Sequence, residues 1–314
     1  ECLLTFDVFI VVSLLFYNKI VLIKFVITKQ VLLCRRFLSK TINRIQPFEN
    51  VERVTTWARQ IGYKSISHDL VFGLPHQNWE TMKTTMQKTN ILHPDRIAFY
   101  SYAHVPWIKG VGQRGFDEND LPLPEVKRAL YENGKSFLEE MGYREIGMDH
   151  FSLPSDDLYI SLQQKKIHRN FMGYSSSSTR LMIGLGMSAI SDSWYAFAQN
   201  EKSVETYMHE VHQEQLPVFR GHILNEEDLI IRRHILNIMC LLETSWKEAA
   251  MQVSEIDSII ERLKEMEDDE LIQLETNFLK VTEKGRAFVR NIAMAFDLRM
   301  NRHQPESRIF SMTV

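Results

Sequence analysis

Two short and almost wholly apolar runs constrain this chain most. SISHDLVFGL (residues 65–74) and RIAFYSY (residues 96–102) read as buried β-strands, the first closed by Gly73 and Pro75. An amphipathic helix precedes each. After Asn50, a good N-cap residue, VERVTTWARQIGY places Val51, Val54, Trp57, Ala58 and Ile61 on one helical face, and Gly62 ends the helix. Asn78 caps a second helix running through Trp79, Met82 and Met86, and His93-Pro94-Asp95 forms the turn into the second strand. Helix, strand, helix and strand at this spacing predict an α/β fold with parallel pairing and a right-handed crossover.

The rest of the chain extends that pattern and then departs from it. Pro122 and Pro124 open a long helix over 125–141, with Val126, Leu130, Phe137 and Met141 in register and Gly142 after its end. Residues 154–180 read as loop, ending in the serine run 175–178. Beyond Gly221 the character becomes helical. Residues 229–242 form a nearly all-apolar helix. Ser254 caps a helix striped by Ile256, Ile259, Ile260, Leu263 and Met266. A hairpin through Thr276-Asn277 and a final helix over 283–296 complete a winged-helix-like arrangement, with a domain boundary near residue 221.

With 314 residues, 44% hydrophobic and 25% charged, the chain has enough apolar material for a large and a smaller domain. A net charge of −3 provides no global cationic field for nucleic acid. Cys2, Cys34 and Cys240 lie far apart, which excludes a disulfide framework and a close-spaced cysteine metal site, and fits a cytoplasmic chain. Residues 1–33 are rich in Leu, Ile, Val and Phe, but Asp7, Lys19 and Lys24 interrupt them. The charge-free stretch 8–18 is too short to span a bilayer, and no small-residue cleavage site follows it. The segment reads either as core strands or as sequence foreign to the fold.

Several polar residues stand in apolar surroundings. Asp69 lies inside the first strand, where a carboxylate must be hydrogen-bonded by backbone or paired with a ligand's ammonium or ribose. Ala103, His104 and Pro106 follow the second strand, at the end where parallel α/β folds place ligands. GMDHF brings Asp149 and His150. HRNFMGY brings His168, Arg169, Asn170 and Tyr174, a set that suits a carboxylate-bearing ligand and matches no metal template. GLGMSAIS (184–191) only partly resembles a phosphate-cradling loop. Lys284, Arg286 and Arg290 make a cationic face on the final helix, read first as a solvated surface.

Taken together, KTINRIQPFENV, DLVFGLPHQ, YSYAHVPW, GYREIGMDHF, HRNFMGY, GLGMSAIS and VTEKGRAFVRNIAMAFD resemble the oxygen-independent coproporphyrinogen III oxidases, radical S-adenosylmethionine (SAM) enzymes of haem biosynthesis. The resemblance runs from Lys40 onward. It implies an incomplete radical-SAM (β/α) partial barrel over 40–220 followed by a C-terminal helical, winged-helix-like domain over 221–314, with 1–39 a non-matching hydrophobic segment. It implies two SAM molecules, a [4Fe–4S] cluster on a CxxxCxxC motif, and oxidative decarboxylation of two propionates of coproporphyrinogen III to vinyls by a SAM-derived radical. Arg44, Asp69 and Ala103 match contacts to the second SAM, and Ile190 a contact to the cluster-bound one. Met172 stands where some members carry Gln, and Leu32 where a SAM-contacting Gln is expected. The cluster motif is absent from these 314 residues, so the resemblance implies no metal ligand here and a fragment inactive alone. The resemblance implies a usually monomeric protein acting on coproporphyrinogen III, with no nucleic acid or membrane partner. The alternative is a non-catalytic module that binds a tetrapyrrole or a partner.

Overall fold

The computed structural model describes residues 29–30, 47–104 and 116–303. They separate into two compact units, residues 27–160 and residues 161–304.

The first unit is built on a five-stranded sheet ordered β1-β2-β3-β5-β4. Strands β1 (Lys29–Gln30), β2 (Ser67–Phe72) and β3 (Arg96–Ser101) are parallel, as the helix–strand alternation predicts. β4 (Arg144–Gly147) and β5 (His150–Ser152) form a hairpin, and β5 runs antiparallel to β3. Helices α1 (Phe48–Ile61), α2 (Trp79–Leu92) and α3 (Pro124–Glu140) supply one layer. Val51, Met82, Met86, Leu130 and Leu138 from these helices pack with Leu70, Phe72, Ile97, Phe99 and Phe151 from the sheet. Gly134 allows the close approach of α3, since a Cβ there would fall 2.5 Å from the Phe99 ring. α4 (Asp157–Gln163) carries the chain into the second unit.

Local signals decide most boundaries. The Asn78 side chain accepts from the Thr81 amide and the Thr81 hydroxyl accepts from the Asn78 amide, a reciprocal cap. Gly62 closes α1 at φ 101°, with its amide donating to Ala58 and Arg59 carbonyls. Two expectations fail on α1. It starts at Phe48 behind Pro47, and Asn50 lies inside the first turn, where its side chain accepts from Arg53. The buried line is Val51, Thr55 and Ala58, so Trp57 and Ile61, about 80–120° around the helix from that line, are 54% and 76% exposed. Val126 on α3 is exposed too, although it lies four residues before Leu130 on the line of Leu130, Gly134 and Leu138, because it falls in the helix's first turn, ahead of the buried stretch.

The second unit contains a hairpin of β6 (His168–Asn170) and β7 (Gly173–Ser175) where a loop was expected. Its strands are three residues each, too short to show alternation. An antiparallel sheet follows from β8 (Ile190–Asp192), β9 (Ala196–Asn200) and β10 (Val218–Ile223), with α5 (Val204–His212) between β9 and β10. Residue 221 lies within β10, paired with Ala198, so the change of composition there is not a break in the fold. α6 (Glu226–Leu241), β11 (Glu243–Ser245), α7 (Ile256–Asp268), β12 (Ile272–Glu275), β13 (Phe278–Val281) and α8 (Val289–Ala295) make the winged-helix-like end, its sheet ordered β11-β13-β12. α7 begins behind Glu255 without the side-chain cap expected from Ser254. The last helix is broken into a 3-10 turn at Lys284–Phe288, then α8 and α9 (Leu298–Arg302). Gly285 lets this turn lie against the backbone of Leu271, since a Cβ there would meet the Leu271 carbonyl oxygen at 1.9 Å.

Candidate functional site

Strand alternation sorts the first unit's sheet into two faces. Leu70 and Phe72 of β2 and Ile97 and Phe99 of β3 point into the core beneath the helices. Asp69 therefore points to the opposite face, as do Ala98, Tyr100 and Tyr102 along β3 and its extension. Asp69 pairs in register with Ala98, and Ala98 with His150 of β5. One row across three strands thus reads carboxylate, methyl, imidazole, with the outer two about 10 Å apart. The His150 Nδ1 lies 2.7 Å from Asp149 Oδ1, and the Tyr100 ring packs edge-on against the imidazole at 5.9 Å.

At the C-terminal ends of β2 and β3 the row opens onto an aromatic cluster. Tyr102, His104 and Phe116 have ring centroids 5.4–6.3 Å apart. The Tyr102 hydroxyl and the His104 Nδ1 are shielded from solvent with no hydrogen-bond partner among the described residues. Burial raises the Tyr102 phenol above its ordinary value. Lys127 of α3 donates to the Tyr102 carbonyl at 3.2 Å, and burial lowers its ammonium. Its stem passes Gly73, where an added Cβ would sit 2.8 Å from the Lys127 Cε. Gln77 braces this turn by accepting from the Gly73 and Leu74 amides and donating to Val71. Strand ends, an acid, a partly desolvated lysine and unsatisfied aromatic polar atoms make this end of the sheet the candidate site of the unit.

Of the residues expected at the site, Asp69 is buried within β2 and Ala103 is exposed just beyond β3. Arg44, Leu32, Cys2 and Cys34 lie outside the described residues. Ile190 begins β8 in the second unit, half-buried and in register with Gln199. Tyr100, Tyr102, Lys127 and Gln77 were missed. The alternation of RIAFYSY carried the signal for the tyrosines, since Ala98, Tyr100 and Tyr102 share a face.

In the second unit the HRNFMGY residues form the β6–β7 hairpin. Arg169 lies over the Tyr174 ring at 4.9 Å, and the Tyr174 hydroxyl donates to the Met239 carbonyl of α6. Burial, then the neighbouring Arg232, lowers the His168 imidazole. Arg232 is fully engaged, paired with Asp192 at 2.6 Å and lying over Trp194 and Phe197. The GLGMSAIS loop is internally satisfied: Gly184 donates to Ser191 and Gly186 to Tyr207, and Asn200 donates to both glycine carbonyls. Those amides are spoken for, so the loop is no phosphate cradle. Lys284 and Arg286 each lie beside a glutamate, Glu270 and Glu283. Cys240 is buried and its thiol is pushed up to about 12, the opposite of what a thiolate ligand needs. No group of three metal-binding side chains occurs among the described residues. Among them no helix is long and apolar enough to cross a membrane.

No known family profile matches the chain. It is 35% identical over 286 residues to the oxygen-independent coproporphyrinogen III oxidase of Synechocystis sp., covering 88% of this chain and 61% of that protein. It is 37% identical over 265 residues to the enzyme of the same name from Helicobacter pylori strain J99, covering 83% and 58%. Among solved structures it superposes with a TM-score of 0.80 and 32% identity on coproporphyrinogen III oxidase (HemN) from Escherichia coli, titled a radical SAM enzyme, covering 87% of this chain and 63% of that one. The chain therefore spans about three fifths of the length of the curated relatives it matches. The likeness bears out the α/β partial-barrel and winged-helix reading, with no closed barrel among the described residues.

Proposed function

Because the chain is a relative of the oxygen-independent coproporphyrinogen III oxidases, we propose that it carries the SAM-facing sheet and the winged-helix-like unit of such an enzyme, the part that binds and orients rather than the part that generates the radical. The single observation behind this is the row Asp69–Ala98–His150 with the Tyr102–His104 cluster, on the sheet face opposite the helices and at the strand ends.

These residues fit SAM. A buried carboxylate at Asp69 accepts from an ammonium or a ribose hydroxyl. Ala98 beside it leaves room, and the aromatic cluster offers π-faces to a cationic or planar group. SAM, when bound, would supply the radical precursor. Asp69 holds a donor of the ligand in place, the Asp149 carboxylate fixes the orientation of the His150 ring, and Lys127 together with the packed rings keeps water from the strand ends.

A [4Fe–4S] cluster does not fit. The sequence has no CxxxCxxC spacing, and the one described cysteine, Cys240, is a buried thiol within α6. This polypeptide alone is expected not to cleave SAM. In the complete reaction two propionates of coproporphyrinogen III would lose CO₂ and become vinyls, in the cytoplasm.

Calorimetric titration of SAM into the chain tests the reading. We expect saturable binding that Asp69→Asn weakens by about tenfold, the scale of one charge-assisted hydrogen bond. Equal binding by the two proteins refutes the assignment of Asp69. Anaerobic iron–sulfur reconstitution that produces a cluster and SAM cleavage in this chain alone refutes the division of labour.

A further inference from the structure

The hydrogen-bond ladder between β2 and β3 ends in an exchange of partners. Its last register pair is Phe72 with Ser101, and the Tyr102 amide continues the pattern by donating to the Phe72 carbonyl at 2.8 Å. In a parallel ladder a residue bonds to the two neighbours of its opposite number, so the Tyr102 carbonyl should next accept from the Leu74 amide. That amide is taken. The Gln77 side-chain oxygen accepts from Gly73 and Leu74 at 2.6 and 3.2 Å, and holds the chain after β2 in its turn. The Lys127 ammonium donates to the Tyr102 carbonyl instead, at 3.2 Å.

Two features tie Lys127 to this role. It lies in the first turn of α3, where the positive end of the helix disfavours a cation, and no carboxylate is paired with it among the described residues. Its stem lies across Gly73, the residue at which β2 turns away at φ 81°. A Cβ on that residue would stand 2.8 Å from the lysine Cε, 3.1 Å from Cγ and 3.2 Å from Cδ, so turn and side chain fit along the stem's length.

We propose that Lys127 is a positioning residue that stands in for the missing strand neighbour, carrying β3 past the end of β2 so that Tyr102 and Ala103 are held at the mouth of the site. The partner exchange frees the space beside the strand end without releasing the backbone that borders it. Lys127 acts through the Tyr102 carbonyl and not by touching the ligand. This deepens the reading of the sheet face as a SAM site, and rests on it.

The test uses the full chain and two variants. Lys127→Met keeps an unbranched stem across Gly73 and removes the donor, whereas Lys127→Arg keeps a donor. SAM affinity is read by calorimetry and amide hydrogen exchange by NMR. Lys127→Met should weaken SAM by about fivefold, the scale of one hydrogen bond, and Lys127→Arg should recover most of that loss. In Lys127→Met without SAM, the Tyr102 amide should exchange faster, while the Phe99 amide, which donates to the Asp149 carbonyl in the sheet, should not change. A residue that only stabilised the fold would speed both amides alike. Unchanged SAM affinity in Lys127→Met, no recovery in Lys127→Arg, or equal acceleration of the two amides overturns the proposal and leaves the assignment of Asp69 standing. Failure of the unaltered chain to bind SAM overturns the proposal and the SAM reading together.

Discussion

Acidification should destabilise the first unit through His68, and the size of the effect follows from its surroundings. His68 lies on the helix-facing side of β2, only 3% exposed, with Nε2 3.1 Å from the Thr55 hydroxyl of α1 and no partner for Nδ1 among the described residues. Burial, and secondarily the charge of Arg59, lowers its pKa from 6.5 to about 4. The unfolded chain therefore takes up a proton first as pH falls. The stability owed to the neutral ring is complete above about pH 6.5 and is lost progressively towards pH 4. A difference of about 2.5 units at 1.36 kcal/mol each amounts to about 3 kcal/mol, a large share of a domain's stability. Urea unfolding of the unaltered chain and of His68→Asn, followed by tryptophan fluorescence across this window, isolates the contribution. Asparagine keeps a polar contact to Thr55 but binds no proton, so the variant's slope of stability against pH should be smaller by about one proton. If the variant proves too unstable to measure, proton NMR of the native chain gives the same answer, since the His68 ring should stay neutral down to about pH 5. Equal slopes, or a His68 ring that titrates near 6.5 in the folded chain, refute the reasoning.

Two further outcomes bear on the second unit. Gly285→Ala drives a Cβ into the backbone oxygen of Leu271, a clash that side-chain rotation cannot relieve, so thermal denaturation should register a loss above about 3 kcal/mol. At the start of α6, Arg299 grips Asp228 at 2.6 and 2.8 Å, and this bond, ahead of the Asn225 amide, holds the carboxyl down at about 2. The folded pKa is the lower one, so this stability is present above about pH 4 and fades as pH falls towards 2. Arg299→Met should remove much of that acid dependence, and acid unfolding curves that coincide with the unaltered chain would show that the exposed arginine is screened into insignificance.

The parallel βα core was legible because each of its signals is local. Gly62, Asn78 and the apolar runs of β2 and β3 fix ends and faces within a few residues of themselves. The failures are of another kind. Asn50 could cap a helix, but Pro47 with its fixed φ starts the helix three residues earlier, so Asn50 falls in the first turn. Trp57 looked like a core residue by type, yet the buried line of α1 runs through Thr55, which contacts His68 across thirteen residues of sequence. The close approach of Gly285 to the carbonyl of Leu271, just ahead of β12, is a contact that no local pattern contains. The candidate site divides in the same way. Asp69 and Ala103 were visible as motif residues, whereas Lys127 reaches Tyr102 from a helix that periodicity describes only as amphipathic.

His68 and Asp69 show why a polar residue in an apolar strand cannot be judged from its strand alone. They are consecutive, nearly equally buried, and unlike their neighbours Leu70 and Val71 in the same way. Alternation sends them to opposite faces. On the helix side the space is filled by Val51, Met82 and Leu130, so an ionisable group there survives only by staying neutral, and His68 does so. On the other side Asp69 stands in line with Ala98 and His150 and leads toward Tyr102 and His104. A residue that burial silences contributes to stability and its pH dependence. A carboxylate on the face that ends at the strand termini has a route to a ligand. The two substitutions therefore separate the roles: His68→Asn should alter unfolding without altering SAM affinity, and Asp69→Asn should do the reverse. A SAM affinity that falls equally in both would mean that the sheet, rather than its inner face, is what the ligand senses.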